Sequence, residues 1–270
     1  MASGLRQRIA TALLLAGVVL AVLLGMPPVA AVAVVAVVVM AGAWEWAGFA
    51  GCVTGAARAG YAAAIGFAVL AAWRLTADPA GLAVFLRAAA SWWLVALVWV
   101  VLAPTRGGRV AAALAGFAVL VPAAIGLARL ALVEPQGQLL LLYLIVLVAA
   151  ADVGAYFGGR SLGRHKLAPR VSPAKTWEGF VAGMAGAAVA AFFGAVLFGR
   201  PTLAWLAVCM PVALASVVGD LVESMFKRRV GLKDSSGLLP GHGGVLDRID
   251  SLTAAGPAFL LGLQLIGVAA

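Results

Sequence analysis

Runs of about twenty residues built from Ala, Val, Leu, Ile, Phe and Gly alternate with short polar breaks along the chain, without the ten-residue alternating segments of a membrane barrel. Each run is long enough for an α-helix to cross a hydrocarbon core of about 30 Å, and a helix satisfies its own backbone groups there. The pattern predicts nine spans, at 9–25, 29–50, 56–73, 82–102, 110–132, 138–157, 177–198, 201–222 and 250–269. Turn chemistry separates them at Met26-Pro27-Pro28, Ala77-Asp78-Pro79, Pro104-Thr105-Arg106-Gly107-Gly108 and Glu134-Pro135-Gln136-Gly137.

Composition places the chain outside the soluble class. Hydrophobic residues make up 64% and charged residues 11%, against roughly 25% charged in soluble domains. The expected fold is all-α, a polytopic integral membrane helical bundle of about nine transmembrane helices. Cys52 and Cys209 show no CxxC or Cys/His pairing, so neither a zinc site nor a structural disulfide is expected.

The net charge of +9 suits a nucleic-acid binder only if it is not topological. With the N-terminus in the cytoplasm, the inner segments hold Arg6, Arg8, Arg58, Arg106, Arg109, Arg160, Arg164, Lys166, Arg170, Lys175, Lys227, Arg228, Arg229, Lys233 and Arg248, fifteen of the nineteen basic residues. Outer segments keep Arg74, Arg129 and Arg200, and Arg87 can snorkel outward. The asymmetry follows the positive-inside rule, so the expectation is a multi-pass protein of the cell (inner) membrane, N-terminus inside, with no nucleic-acid partner. The first apolar run is long for a secretory signal and more spans follow, so it reads as a retained helix.

Two longer polar segments, 158–176 and 223–249, break the regularity, and both fall on the cytoplasmic side. Long irregular segments beside a bundle are usually functional. They divide the chain into N-terminal transmembrane helices, 1–137, and a C-terminal catalytic region, 138–270, which carries both loops within one integral membrane unit.

Ten acidic residues are few enough to weigh singly. Asp152, Asp220 and Glu45 lie near the inner ends of the sixth, eighth and second spans, where a carboxylate is costly and marks a candidate site. Asp220 and Glu223 are three apart, as are Asp247 and Asp250, so on helices each pair shares a face. Carboxylates beside Lys and Arg suit a hard cation such as Mg²⁺. The plainer alternative is that they pair with Lys227, Arg228 and Arg248 at the membrane surface.

Phosphate matches the rest of the loops: cations, closely spaced glycines that admit an anion to backbone N–H groups, and Ser172-Pro173 as a cap and first turn of a phosphate-attracting helix. Gly158 to Gly163 has P-loop glycine spacing but is followed by Arg164-His165, so it is not a Walker A site. SxxK at 172–175 lacks partner motifs, and neither GxSxG nor HExxH occurs. His242, between glycines, is a candidate phosphate donor or acid, whereas His165 reads as an ordinary loop residue. No activated nucleophile is needed if the substrate is itself a phosphomonoester, whose second pKa of about 6 leaves it nearly dianionic.

Residues 224–250, SMFKRRVGLKDSSGLLPGHGGVLDRID, resemble the signature of the phosphatidate cytidylyltransferase (CDP-diacylglycerol synthase) family, with Ser224, Lys227-Arg228, Lys233-Asp234, Leu239-Pro240, His242-Gly243-Gly244 and Asp247-Arg248-x-Asp250 in order. Residues 151–179, ADVGAYFGGRSLGRHKLAPRVSPAKTWEG, are similar to its second polar stretch. The resemblance covers mainly residues 150 to 250. It implies that CTP and phosphatidate react to CDP-diacylglycerol and diphosphate with Mg²⁺. It also implies metal ligation by Asp220 and Asp247, with Asp152 and Asp250 as further carboxylates. Lys227, Arg228, Lys233 and Arg248 would hold the phosphates, with Lys166, Lys175 and His242 lining the site. Ser172, Ser224, Asp234, Gly243 and Gly244 complete the expected substrate contacts.

Two other readings stay open at this point: a transporter or channel for phosphate-bearing anions, which leaves the Gly-His-Gly-Gly and Asp-Arg-Ile-Asp cluster unexplained, and a nucleotidyltransferase for another lipid phosphate. Small residues such as Gly183 and Gly186 allow close helix contacts, so a homodimer is compatible with the sequence, with no face singled out.

Overall fold

The computed structural model describes residues 2–239, 241 and 243–269, with side chains from residue 10 onward. Among these residues the chain forms nine helices: α1 (Ala2–Gly25), α2 (Pro28–Phe49), α3 (Gly55–Leu75), α4 (Pro79–Leu102), α5 (Arg109–Ala131), α6 (Gly137–Leu162), α7 (Trp177–Leu197), α8 (Thr202–Arg229) and α9 (Leu246–Leu265). Each predicted span corresponds to one helix. α2 through α8 are long and apolar enough to cross a membrane, and the apolar part of α1 is the shorter stretch Ala10–Gly25. The purely helical expectation misses one feature, an antiparallel hairpin of β1 (Lys166–Ala168) and β2 (Ser172–Thr176) between α6 and α7.

Helix starts follow local chemistry. Asp78 accepts from the Gly81 amide at 2.9 Å, with Pro79 in the first turn of α4, and Thr54 caps α3 through the Ala57 amide at 3.2 Å. Helix ends depart from the hydropathy pattern. α6 runs on to Leu162 and α8 to Arg229, so residues 158–162 and 223–229 are helical rather than loop. Hydropathy registers where lipid stops, not where hydrogen bonding stops. Lys227, Arg228 and Arg229 in the last turn of α8 also complement its negative end.

Ser172 and Pro173 do not cap a helix; they lie in β2, and Thr176 caps α7 by accepting from the Gly179 amide at 3.1 Å. Pairing of Lys166 with Thr176 and of Ala168 with Ser172, interrupted by a bulge between them, holds the segment extended up to that cap.

Lipid offers little hydrophobic driving force between helices, so close packing falls to small residues. α6 and α7 meet through such a seam: a Cβ on Gly154 would lie 2.6 Å from the Ala182 carbonyl, and one on Gly186 would lie 2.6 Å from that of Ala150. Gly183 and Gly186 therefore serve this contact within the chain. α5 is the most enclosed of the spanning helices, and Gly126 lets it approach α9 at Pro257. Two buried indoles are tied down by hydrogen bonds, Trp46 Nε1 donating to the Ala112 carbonyl at 2.8 Å and Trp205 Nε1 to the Tyr143 hydroxyl at 3.0 Å. Cys52 and Cys209 are both free.

Candidate active site

The carboxylates lie on α2, α6, α8 and α9, at one end of the bundle. Asp247, in the first turn of α9, is held on both oxygens. Its Oδ1 accepts from Lys227 Nζ at 2.6 Å, and its Oδ2 accepts from the amides of Ser235 and Gly244 at 2.9 and 2.8 Å and from Ser235 Oγ at 2.9 Å. Lys227 is buried and also lies 3.4 Å from Glu223 Oε1, one turn earlier on α8. Both Glu223 oxygens are buried without a hydrogen bond, so Lys227 balances two carboxylates.

Glu45 supplies the second fixed point. It is buried in α2, yet it accepts from a segment 190 or more residues away: Oε1 from Ser236 Oγ (2.6 Å) and the Val245 amide (3.0 Å), Oε2 from the Leu246 amide (2.7 Å) and from Ser235 Oγ (3.0 Å), whose one proton it shares with Asp247 Oδ2. Val245 offers α9 no side-chain cap, so α2 provides one. A carboxylate accepting from free N–H groups at a helix N-terminus is favoured by hydrogen bonding and by the helix dipole. Sequence depth singled out Glu45, but nothing in the sequence named its partners.

The loop glycines have a different immediate reason from the expected one. Gly243 has φ +79°, and a Cβ there would lie 2.8 Å from Asp247 Oδ2; one on Gly244 would lie 2.6 Å from both Glu45 oxygens. They make room for the protein's own carboxylates, and the Gly244 amide is spent on Asp247.

Asp220 lies on α8 beside a cavity of about 510 Å³ bounded by α6, α7, α8 and the hairpin. Its Oδ2 is 2.6 Å from Lys175 Nζ on β2, and its Oδ1 accepts from Ser224 Oγ at 3.1 Å. Asp152 lines the same cavity and feels both the Asp220 carboxylate and the Lys175 ammonium. Asp250, on α9, interacts electrostatically with Asp220 as well as with Glu223 and Lys227. Arg160, which donates to the Tyr156 hydroxyl at 2.8 Å, also lines the cavity. It was not among the expected site residues, although Asp152, Tyr156 and Arg160 recur every four residues along one face of α6.

The remaining expected residues divide. Lys175, Lys227, Ser224, Gly243 and Gly244 join the cluster through these contacts. Arg228 is exposed and donates to the Leu232 carbonyl at 3.2 Å, and Lys166, Lys233, Asp234 and Arg248 are exposed around the loops. Ser172 sits on β2 outside the cavity lining. His242 and Pro240 lie outside the described residues. His165 does have a defined contact, its Nδ1 lying 2.6 Å from Glu178, which also accepts the Arg164 and His165 amides and ties the hairpin to α7.

Mg²⁺ fits this chemistry. It takes hard oxygen ligands and is commonly held by one or two carboxylates, completed by phosphate oxygens and water. The acids outnumber their buried cations, since Lys227 alone faces both Glu223 and Asp247. Among the described residues no three His, Cys, Asp or Glu side chains form a ready metal cage.

Fold and site together define a multi-pass helical membrane protein with a cluster of acidic and basic side chains at one end of the bundle. Residues 6–266 match the profile of the Cytidylyltransferase family, and the chain belongs to that family. It is 43% identical over 262 residues to a phosphatidate cytidylyltransferase of Pseudomonas aeruginosa, covering 94% of this chain and 95% of that one. It is 39% identical over 280 residues to one of Haemophilus influenzae, covering 94% and 97%. Over 124 residues it is 44% identical to the Escherichia coli protein YnbB, there called uncharacterized, covering 46% of this chain and 42% of that one.

Proposed function

We propose that the chain transfers the cytidylyl group of CTP to phosphatidate, giving CDP-diacylglycerol and diphosphate, on the cytoplasmic side of the inner membrane. The observation that carries this reading is a single cavity whose lining combines Asp152, Arg160, Lys175 and Asp220 with Phe180, Met184 and Val217. Such a cavity suits a phosphate that arrives attached to a lipid. Family membership and the names of the two full-length relatives support the same reaction.

An oxygen of the lipid phosphate forms a bond to the α-phosphorus of CTP while the bond from that phosphorus to the bridging oxygen of the β-phosphate breaks. The electron pair leaves with diphosphate. The attacking group is already anionic near neutral pH, so the site needs no general base; in-line positioning and charge neutralisation suffice. Lys175 and Lys227 are the cations inside the cluster, and Arg228, Lys233 and Arg248 are those at its rim that hold the triphosphate. Lys166 and Ser172 on the hairpin, with Ser224, Asp234, Gly243 and Gly244, flank the approach. Asp220 and Asp247 would hold Mg²⁺, with Asp152 and Asp250 as further carboxylates; when bound, the ion would offset charge on the phosphates. Catalytic groups concentrate in 138–270, and Glu45 is the contribution from the N-terminal helices.

The test is to incubate the purified protein with CTP, phosphatidate and Mg²⁺ and measure diphosphate and liponucleotide together. Equal amounts of both, formed only when both substrates are present, are expected. Flux of a phosphate-bearing anion into proteoliposomes without nucleotide turnover would instead favour the transporter.

A further inference from the structure

Three cavities follow one another along α8 and wind partly around it. The first holds Asp152, Lys175 and Asp220. The second, about 620 Å³, lies between α4, α7 and α8 beneath the hairpin and shares Leu167, Phe180 and Val217 with the first. The third, about 320 Å³, lies between α4, α8 and α9 and shares Leu97, Leu214 and Val218 with the second. Below Val217 the walls are wholly apolar. The three share wall residues in series, from the charged cluster to the apolar level of the lipid tails.

We infer that phosphatidate enters between α4 and α7 and that one of its acyl chains lies along α8 in this groove. The inference rests on the cytidylyl-transfer reading and adds the route and the chain site. Every lipid-facing groove holds some lipid, but this one ends at Asp220 and Lys175, where a phosphate is wanted.

The neighbouring seams are closed. α6 and α7 touch backbone to backbone through Gly154 and Gly186, and Gly219 brings α8 against the Asp250 carbonyl of α9. α4 and α7 both pack on α8 but make no substantial contact with each other, which leaves that face of α8 open. Two helix-interior prolines, Pro211 of α8 and Pro257 of α9, line the deepest part. Each removes one backbone hydrogen bond and disfavours straight, close helix packing at its position.

Length and charge also agree. Asp220, Val217, Leu214, Pro211 and Val208 line the three cavities in turn, every third residue, in a row that winds around α8 by about 60° per step. From first to last they span about 18 Å at about 1.5 Å per residue, close to the roughly 15 Å of one leaflet in a core of about 30 Å. At the mouth the exposed Arg170 of the hairpin turn stands over the opening and meets the headgroup before Lys175 does.

The experiment compares long-chain dioleoyl phosphatidate with dihexanoyl phosphatidate, whose chains end before Leu214. Ala215→Trp and Leu261→Trp fill the deep groove, and Val189→Trp, on a lipid-facing part of α7 outside it, is the control. The expected result is a fall of about tenfold or more in kcat/KM for the long-chain substrate with the short-chain value kept, in both groove variants and not in the control. Equal loss on both substrates, or no loss on either, overturns the groove. A second measurement needs no variant and no turnover: phosphatidate carrying a diazirine at mid-chain is photolysed on the unaltered protein. Adducts on Leu97, Leu214 or Leu261 are expected, and adducts confined to helices away from α4, α8 and α9 overturn the inference. Unaltered protein that turns over neither substrate contradicts the cytidylyl-transfer reading, a failure distinct from misplaced adducts.

Discussion

Lys227 donates to Asp247 across 2.6 Å and so joins the last turn of α8 to the first turn of α9. Both side chains are nearly enclosed, at 9% and 6% exposure, and Glu223 shares the same ammonium. Removing one partner leaves an uncompensated buried charge, which costs about 3–5 kcal/mol. Lys227→Met is therefore expected to lower the thermal unfolding midpoint in detergent and abolish turnover, whereas Lys233→Met, at an exposed position, leaves the midpoint where it was.

Glu45 holds the 235–246 segment from another helix. Glu45→Gln replaces one acceptor oxygen by a donor and leaves at least one buried amide or hydroxyl unmet, at a cost of about 1–3 kcal/mol. Faster hydrogen exchange at the Val245 and Leu246 amides is expected, together with reduced activity. Unchanged exchange there would remove Glu45 from its role as the cap of α9.

Gly219 is the close contact between the two catalytic helices, where a Cβ would lie 2.5 Å from the Asp250 carbonyl. Gly219→Ala has to push α8 and α9 apart, costing about 1–3 kcal/mol, and separates Asp220 from Asp250. Activity is expected to fall further than stability. Gly60→Ala, a substitution into open space within a helix, is the matched control and should leave both properties intact.

Asp220 and Lys175 form the charged end of the cavity. Asp220→Asn is expected to reduce kcat by about 10²–10³, the usual scale for losing one preorganised electrostatic group, with membrane insertion and elution in detergent unchanged. Near-normal turnover in that variant would remove Asp220 from the site.

The helices were legible because each hydrocarbon crossing demands about twenty apolar residues, and nothing shorter than the bilayer sets that number. Their polar extensions were not. Arg160 and Leu162 continue α6, and Glu223 to Arg229 continue α8, beyond the point where hydropathy falls. Ser172-Pro173 has the local look of a helix start, yet its pairing with Ala168 makes it a strand. Asp152 and Asp220 were legible as costly carboxylates in apolar runs, and one cavity joins them. The pairing of Glu45 with Ser235, Ser236 and the start of α9 is a tertiary fact, spanning 190 residues or more, that no local pattern carries.

The central claim is that the α-phosphate of CTP ends on a lipid. The most direct measurement follows radiolabel into the organic phase when the purified protein, phosphatidate and Mg²⁺ are given CTP labelled at either its α- or its γ-phosphate. The account predicts that label from the α position enters the lipid and label from the γ position leaves as diphosphate in water. Label entering the lipid from the γ position, or from neither, would contradict it.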